Sequence, residues 1–376
     1  MSAILLFWVI AILILFIYAI LIYIIGQGWN SILDFNSAPG KPDVFVSVII
    51  AVRNEESNIL SVLDDISEQD YSPETFEVLI VDDHSQDQTA KLVNRKIAAR
   101  KNMHLLSLPE GKSGKKSAIA SGIGQARGEL IVTVDADCHI QNRWLSTIAT
   151  YYEKQGKPDM IIGLVDYFPP DSCTGKLQQF EFLSLIGSGA GAAGAGHPLM
   201  CNGANLAYKK ESYLLFSDPM TSIVASGDDV FLMLKFKQKG YTIRVLKSTD
   251  SIVYTQSPSS MKIFLNQRMR WISKARHYKD PDVIITALVI FITNISLLFS
   301  MGVLIAGINC ILFPILFILK SLIDFLFMKQ ILDFFNQKQL LKFLIIIQLL
   351  YPFYMLSTGI AGNLFRAVWK GRFIKS

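Results

Sequence analysis

Long uncharged hydrophobic blocks lie at both ends of the chain. The stretch Met1–Ile32 contains no charged residue, and Ile4–Ile25 is a continuous apolar run. At about 1.5 Å per helical residue, such a run crosses a hydrocarbon core of roughly 30 Å. No basic segment precedes it, so we predict a transmembrane anchor over residues 1–32 rather than a cleaved secretory signal.

Two further uncharged blocks follow near the C-terminus. Val283–Leu319 is long enough for two short crossings, with a hinge expected near Gly302 or Gly307. Phe343–Phe365 forms the last block and contains Pro352. Lysine and arginine residues flank both blocks, which favours the cytoplasmic side for each flank. We therefore expect the last block to be re-entrant or interfacial.

The central region alternates between β-branched runs and helical patterns. Val44–Val52, Phe76–Val81 and Leu130–Val134 are suited to buried parallel strands. Helices are predicted between them, at Thr89–Arg100 and Ser117–Ala126. This alternation predicts an α/β domain with a mainly parallel sheet, in which ligands bind at the carboxyl ends of the strands.

A segment rich in glycine and alanine interrupts this alternation. Lys176–Ile186 has the pattern of an amphipathic helix, and Gly187–Gly196 is almost entirely Gly, Ala and Ser. The latter segment could be a flexible loop, or a place where a second backbone or an acyl chain approaches closely. Asn202–Asn205 then opens another strand, and Asp228–Asp229 begins a helix.

The predicted organisation has six parts. In chain order they are an N-terminal transmembrane anchor (1–32), a linker (33–43), a cytoplasmic catalytic domain (44–255), an interfacial helix (256–280), C-terminal membrane helices (281–365) and a basic cytoplasmic tail (366–376).

Composition supports membrane association. The chain has 376 residues, of which 51% are hydrophobic, with a mean hydropathy of +0.37 and a net charge of +5. The basic residues do not form a stripe with interleaved aromatics, so we expect no nucleic-acid partner. The four cysteines are scattered without a CxxC pair, which predicts neither a metal knuckle nor a disulfide framework.

Three acidic clusters follow predicted strands or begin a helix. They are Asp82–Asp83, Asp135-Ala136-Asp137 and Asp228–Asp229. Each alone is typical of an acidic turn or a helix cap. A D-x-D pair after a buried strand, however, directs two hard oxygen ligands toward one site, and such ligands suit Mg²⁺ or Mn²⁺ bridging a diphosphate.

Two basic features complete the candidate chemistry. Lys115 precedes a helix N-terminus, where phosphate is held favourably. Farther along, a helix capped by Ser257 is predicted to carry Gln267, Arg270 and Trp271 on one face. The opposite, apolar face includes Phe264, so we predict a helix lying at the membrane surface.

Together these clusters resemble the membrane-embedded family 2 glycosyltransferases. The resemblance rests on the ordered set Asp82–Asp83, Asp135-x-Asp137, Asp228–Asp229 and Gln267-x-x-Arg270-Trp271, and covers roughly Val44–Trp271 with the flanking helices. It implies a GT-A nucleotide-sugar-binding domain between N-terminal and C-terminal transmembrane helices.

The resemblance also implies roles for individual residues. Those expected to bind the nucleotide sugar are Arg53, Asn54, Glu55, Asp82, Asp83, Lys115, Asp135 and Asp137. The expected metal ligands are Asp137 and Asp135, and the expected catalytic residues are Asp229 as base with Asp228, Gln267, Arg270 and Trp271. The acceptor is expected at Asn202, Gly203, Asn205 and Trp271.

The sequence therefore predicts an inverting, metal-dependent transfer of a sugar from a nucleotide sugar, a UDP-sugar by preference, to a membrane lipid. The expected setting is the cytoplasmic face of a cell inner membrane. The C-terminal blocks look oily on all sides, which favours a lipid over a polymer channel. A processive synthase of the hyaluronan or poly-N-acetylglucosamine type is the alternative. A non-catalytic membrane scaffold is more remote, because it has no chemical need for all three acidic clusters.

Overall fold

The computed structural model describes residues 2–36, 42–219, 228–274, 277–309, 311–364, 368–369 and 372–373. Its strands are β1 (Val46–Val52), β2 (Phe76–Asp82), β3 (Met103–Ser107), β4 (Leu130–Thr133), β5 (Cys138–Ile140), β6 (Met160–Gly163), β7 (Val165–Tyr167), β8 (Leu206–Lys209), β9 (Ile243–Leu246), β10 (Val253–Thr255), β11 (Val368–Trp369) and β12 (Arg372–Phe373).

The helices include four that are longer than twenty residues besides the N-terminal one. In chain order they are α1 (Ser2–Ser31), α2 (Ile59–Ser67), α3 (Thr89–Ile97), α4 (Lys115–Gln125), α5 (Trp144–Lys154), α6 (Cys173–Gly194), α7 (Lys210–Leu214), α8 (Asp228–Gln238), α9 (Met261–Ile272), α10 (Pro281–Ile305), α11 (Leu312–Phe334) and α12 (Leu344–Leu364).

Residues Ile32–Phe168 and Met200–Ser257 form one compact unit, which we call the sheet unit. Its larger sheet has the strand order β3-β2-β1-β4-β8-β6-β9. Strands β3, β2, β1 and β4 are mutually parallel and β6 is parallel to β9, whereas β8 is antiparallel to both its neighbours. A smaller sheet has the order β5-β10-β7. The predicted α/β domain with a mainly parallel sheet is confirmed.

The strand register brings the predicted site residues to one edge of the sheet. Val52 pairs with Asp82, and Ile49 pairs with Thr133 at the end of β4. The residues of β1, β2 and β4 are almost all buried, as expected for parallel strands covered on both faces. The turns that follow these strands therefore lie side by side at the carboxyl ends.

A second compact unit comprises Met1–Ser31, Pro169–Leu199 and Pro258–Ser376, and we call it the helical unit. Pro169–Leu199 thus groups with the helical unit although it lies within the predicted catalytic domain 44–255, and the boundaries of that domain stay a prediction. Helix α6 in this segment packs on α1 and α11. It is apolar or small around most of its circumference, so burial among helices stabilises it.

The glycine-rich part of α6 is a site of close backbone approach. The helix continues to Gly194, so the segment is not a flexible loop along most of its length. A Cβ atom on Gly191 would lie 2.4 Å from the carbonyl oxygen of Ile25, and one on Gly28 would lie 2.0 Å from the carbonyl oxygen of Gly191. Only glycine permits this separation of α1 and α6. The close-approach alternative is confirmed.

Three segments of the described chain are long and apolar enough to cross a membrane, namely Leu5–Ser31, Pro281–Ile305 and Lys338–Gly359. The chain turns after α10 at Gly307, which has a φ of +69°, but α10 is one continuous helix, so two short crossings within Val283–Leu319 are not found among the described residues. Helix α12 continues through Pro352. Its length allows a full crossing, and the re-entrant or interfacial placement of this block stays a prediction.

The interior of the helical unit contains a buried polar cluster. Lys320 Nζ donates to Asp324 Oδ2 and to Gln348 Oε1, each at 2.7 Å, and Tyr18 Oη donates to Asp324 Oδ1 at 2.5 Å. All four residues are at most 9% exposed. Gln348 lies in the block Phe343–Phe365, so the expectation that the C-terminal blocks are oily on all sides is wrong for that block.

Candidate active site at the edge of the sheet

The turns after β1 and β2 build the first part of the site. Arg53 Nη1 donates to the backbone oxygen of Asp83 at 2.5 Å and lies 3.7 Å from Asp83 Oδ2. Asp82 Oδ2 accepts the N–H of Ser85 at 3.2 Å. Asp82 Oδ1 is buried and has no hydrogen-bond partner among the described residues. An unsatisfied buried acceptor costs about 1–3 kcal/mol, so this oxygen is suited to a donor on a ligand.

Asn54 and Glu55 hold the same turns together. Asn54 has a φ of +51°, and its Oδ1 accepts the N–H of Gln86 at 2.8 Å. Its own N–H donates to Ser85 Oγ at 3.0 Å. Glu55 Oε2 accepts from Asn58 Nδ2 at 2.8 Å. The Asn54 side chain thus connects the two turns, which is a supporting role beside Asp82.

The turn after β4 carries the D-x-D pair. Lys115, the first residue of α4, pairs with Asp135, with 2.6 Å between Nζ and Oδ1. Asp137 is exposed to solvent. Desolvation by the surrounding chain, with repulsion from Asp135 and then Glu55, nevertheless raises the pKa of Asp137, while Lys115 lowers it. A site that crowds carboxylates in this way favours a bound cation.

A glycine links the D-x-D region to the first turns. Gly114 has a φ of +92° and precedes α4, and its N–H donates to Asp83 Oδ2 at 3.0 Å. The positive φ is readily adopted by glycine and aims this N–H at the carboxylate. The chain around Lys115 is thereby attached to the Asp82–Asp83 turn.

Asp229, on the first turn of α8, is held by backbone donors. Its Oδ2 accepts the N–H of Gly203 at 3.0 Å, and its Oδ1 accepts the N–H of Val230 at 2.8 Å. Thr133 Oγ1 donates to the carbonyl oxygen of Gly203 at 2.8 Å, which fixes Gly203 to the end of β4. These contacts orient the Asp229 carboxylate. The side chain of Asp228 lies outside the described residues.

The predicted acceptor residues of the sheet unit have structural roles in the loop before β8. Asn205 is 1% exposed, and its Nδ2 donates to the carbonyl oxygens of Leu164 and Ser251 at 2.8 Å each. Its Oδ1 accepts from Trp144 Nε1 at 3.1 Å. The prediction that Asn205 contacts the acceptor is therefore corrected, because its side chain is buried and fully engaged.

Asn202 and Gly203 support the same loop. Asn202 Oδ1 accepts the N–H of Ala204 at 3.0 Å, so this side chain caps the short helical turn that begins at Gly203. The backbone of Gly203 holds Asp229, as described above. Gly203, predicted to contact the acceptor, thus positions the predicted base through its backbone, and no local sequence pattern indicates this role.

The remaining motif, Gln267-x-x-Arg270-Trp271, lies on α9 in the helical unit, and we call its three named residues the motif residues. The helix begins at Met261 with Ser260 as its cap, whose Oγ accepts the N–H of Ile263 at 3.3 Å, so the predicted cap at Ser257 is wrong by three residues. Gln267, Arg270 and Trp271 are all partly exposed.

Sequence reasoning overlooked Arg268, which lies within the same motif. It is 2% exposed, and its guanidinium carbon lies 4.6 Å from the ring centre of Phe264 and 4.2 Å from that of Trp271. These three residues therefore share one face, and the assignment of Phe264 to the face opposite Trp271 is corrected. The available signal was a charged residue four positions after Phe264, within the apolar stripe.

The structure thus brings Arg53, Asp83, Gly114 and the D-x-D turn together in the sheet unit, and places the motif on α9 in the helical unit. Among the described residues, no group of three or more His, Cys, Asp or Glu side chains could hold a metal ion without further ligands. Any cation at Asp135 and Asp137 therefore needs ligands from a bound molecule or water.

Comparison with known proteins finds similarity in the region that contains most of the sheet unit. Residues 47–214 match the family model described as Glycosyl transferase family 2. A mannosyltransferase from Pyrobaculum calidifontis, solved in complex with GDP-Man and Mn²⁺, has a similar fold, with a TM-score of 0.61 at 18% identity. The alignment covers 95% of this chain and 99% of that one.

Three curated relatives match parts of the chain. The glycosyltransferase AglE of Haloferax volcanii is 31% identical over 38% of this chain and 46% of its own length. A dolichyl-phosphate beta-glucosyltransferase of Trichomonas vaginalis is 34% identical over 29% of this chain and 35% of its own length. A poly-beta-1,6-N-acetyl-D-glucosamine synthase of Staphylococcus aureus is 27% identical over 61% of this chain and 56% of its own length. The chain therefore spans between about a third and somewhat over half of these relatives' lengths.

Proposed function

We propose that this chain, whose residues 47–214 match the family 2 glycosyltransferases, transfers a sugar from a nucleotide sugar to a membrane lipid with inversion at the anomeric carbon. The observation that carries the proposal is the arrangement of Arg53, Asp82–Asp83 and Asp135 at the carboxyl ends of three adjacent strands. Ligands of open α/β sheets bind at this edge.

The nucleotide is proposed to bind at the turns after β1 and β2. The buried Asp82 Oδ1 offers an acceptor for a ribose hydroxyl or a base N–H. Arg53 and Asp83, which contact each other, would border the same site together with the turn at Asn54 and Glu55. Uridine is our proposed base on the strength of the family resemblance alone.

The donor diphosphate is proposed to lie near Lys115 and the D-x-D pair. Asp135 and Asp137 fit Mg²⁺ or Mn²⁺, because they supply hard oxygen ligands, and desolvation followed by repulsion from Asp135 raises the pKa of Asp137. The described chain supplies too few side chains for a closed site, so diphosphate oxygens and water would complete the set. A bound divalent cation stabilises the negative charge that develops on the leaving diphosphate.

Asp229 is proposed as the catalytic base. Transfer forms a bond between the acceptor oxygen and the anomeric carbon while the bond from that carbon to the diphosphate oxygen breaks. The acceptor proton passes to Asp229, whose two oxygens are already oriented by the N–H groups of Gly203 and Val230. One in-line displacement of this kind inverts the anomeric centre. Asp228 is proposed to assist by resemblance alone.

The α9 motif is proposed to act on the donor and acceptor. By resemblance, Gln267 and Arg270 contact the diphosphate, and Arg270 adds positive charge where the leaving group departs. Trp271 offers an aromatic face for a sugar or the acceptor. All three side chains retain partial solvent exposure, which is a requirement for such contacts.

A lipid acceptor is supported by the membrane segments and by one relative. Three described segments can cross a membrane, and the relative from Trichomonas vaginalis is named for transfer to dolichyl phosphate. The buried cluster around Asp324 is compact and internally hydrogen-bonded, rather than a line of polar groups along the helices. We further propose a bacterial-type inner membrane with the sheet unit on the cytoplasmic side.

The processive alternative rests on a different observation. The Staphylococcus aureus polysaccharide synthase aligns with 61% of this chain, about twice the share covered by the dolichyl-phosphate enzyme at 29%. Both activities use a nucleotide sugar, so the product distinguishes them. A lipid transferase yields one glycosylated lipid, whereas a synthase yields a ladder of polymer lengths.

The test is a product analysis on purified full-length protein in detergent or vesicles. The protein is incubated with a panel of UDP-sugars and GDP-mannose, with Mg²⁺ or Mn²⁺, and with a lipid extract, and nucleoside diphosphate release and product mass are measured. A lipid carrying one added sugar supports the proposal, and a polymer supports the alternative. No release with any combination would favour the non-catalytic scaffold.

A further inference from the structure

Arg268 is a buried cation whose partner lies far away in the sequence. Its Nε donates to Glu181 Oε1 at 2.9 Å, and its Nη2 donates to Glu181 Oε2. Arg268 is 2% exposed and Glu181 is 8% exposed. A two-pronged pairing of this kind fixes the guanidinium plane as well as its distance from the carboxylate.

The fixed guanidinium contacts two of the three motif residues of α9. Its Nη1 donates to Gln267 Oε1 at 2.6 Å, so the Gln267 amide oxygen faces Arg268 and its Nε2 remains as a donor. Its guanidinium carbon lies 4.2 Å from the Trp271 ring centre, within the range of a cation–π contact. Arg268 therefore sets the orientation of an amide and of an indole at once.

Glu181 belongs to a helix that is itself held tightly. It lies on α6, whose Gly191 packs against the α1 backbone so closely that no Cβ atom fits. Its Oε1 also accepts from Tyr354 Oη of α12 at 3.3 Å. Three helices of the helical unit thus fix the carboxylate that fixes Arg268.

We propose that Arg268 and Glu181 form a positioning pair that orients Gln267 and Trp271 for sugar transfer. The inference rests on the proposed function, in which those two residues contact the donor and acceptor. Arg268 itself is a positioning residue, because its donors are directed at Glu181 and Gln267 rather than at solvent. Without the Arg268 guanidinium, the side chains of Gln267 and Trp271 would lose the contacts that fix their orientation.

The test compares Arg268→Met with Lys320→Met in the full-length protein. Both changes remove a buried cation from the helical unit, but within the described part of the chain Lys320 donates to Asp324 and Gln348 and to none of the motif residues. We expect Arg268→Met to lower kcat about 10²-fold, as misplacement of substrate-positioning groups does. Lys320→Met lowers the melting temperature while kcat of the folded protein changes less than about threefold.

A double-mutant cycle separates positioning from general damage. In a Gln267→Ala/Trp271→Ala background, Arg268→Met should lower kcat by less than about threefold, because the groups that it orients are already absent. Arg268→Lys, which keeps the charge but not the planar fork, should behave like Arg268→Met. Additive losses in the cycle, or full activity in Arg268→Lys, would overturn the inference.

Hydrogen exchange gives a readout that does not depend on activity. In Arg268→Met and Glu181→Gln, backbone amides of α9 should exchange at least about tenfold faster than in the parent protein, with the amides of β1 and β2 unchanged. Lys320→Met should leave α9 unchanged. Unaltered α9 exchange in Arg268→Met contradicts the inference even if the wild-type protein transfers sugar. Absence of transfer by the wild type contradicts the proposed function instead.

Discussion

The charged residues of the two units differ in where their partners lie. In the helical unit, Arg268 pairs with Glu181 and Lys320 with Asp324, and each pair is satisfied by side chains of the chain itself. At the edge of the sheet, Asp82 keeps a buried oxygen without a partner among the described residues, and Asp137 faces solvent with a raised pKa. Satisfied charges hold helices together, whereas the edge of the sheet retains capacity for a ligand.

The largest effect is expected at Asp229. Asp229→Asn keeps an oxygen that accepts a backbone N–H but removes the base, so transfer should fall by about 10²–10⁴-fold, with nucleotide-sugar affinity nearly unchanged. Rates of nucleoside diphosphate release and equilibrium donor binding measure the two quantities. Asp250→Asn, at a surface pair with Arg143, is the matched control. Loss of donor binding in Asp229→Asn would refute the base assignment.

The next largest effect is expected at the D-x-D pair. Asp137→Ala removes a carboxylate that the proposal assigns to the metal, so Mn²⁺-dependent donor binding should weaken by at least about 10–100-fold. Titration calorimetry with and without Mn²⁺ measures the loss. Asp64→Ala, at an exposed pair with Lys96, serves as the control. Equal donor affinity in Asp137→Ala and the parent protein would show that Asp137 is not a metal ligand.

Substitution within the buried Lys320–Asp324 pair of α11 should change the free energy of unfolding rather than the rate of transfer. Lys320→Met leaves Asp324 as an uncompensated buried charge, which should cost about 3–5 kcal/mol of unfolding free energy. Replacing both residues by leucine should cost much less, because no unpaired charge remains. Thermal unfolding in detergent measures both variants. Similar losses in the single and double variants would mean that packing, and not charge, dominates at this site.

The smallest effect is a shift with pH. Because the folded-state pKa of Asp137 is raised, its carboxylate takes up a proton at a higher pH than an ordinary aspartate does. Metal affinity should therefore decline as the pH falls through that raised pKa, and this contribution is fully present only above it. A series of Mn²⁺ titrations at decreasing pH measures the decline. Asp137→Asn should remove this part of the dependence.

Much of the fold and of the candidate site could be predicted from local sequence. β-branched runs such as Val46–Val52 identify buried strands, and the acidic clusters follow those strands because parallel strands end at one edge. The candidate membrane segments at the two ends of the chain could also be predicted from the sequence, since length and hydrophobicity alone determine whether a helix can cross a bilayer. The order of the motifs was sufficient to predict the resemblance to family 2 glycosyltransferases, whose model matches residues 47–214.

Other features depend on partners that are distant in the sequence. From its position in the sequence, helix α6 is predicted to lie in the catalytic domain. Its close packing on α1, which depends on glycines, is visible only in the tertiary structure. Asn205 lies in the polar segment Asn202–Asn205 that is predicted to contact the acceptor. Its side chain instead makes hydrogen bonds to three separate segments of the chain. The Arg268–Glu181 pair joins residues that are 87 positions apart.

The sequence by itself therefore determined the resemblance to family 2 glycosyltransferases, the positions of the main strands along the chain and the acidic residues at the carboxyl edge, because these depend on local pattern. Only the tertiary structure decided which of the polar residues remain open to a ligand. That division depends on burial and on hydrogen-bond partners, as the contrast between the engaged Asn205 and the open Asp82 oxygen shows. Partner choice is a property of three-dimensional packing, and no local pattern encodes it.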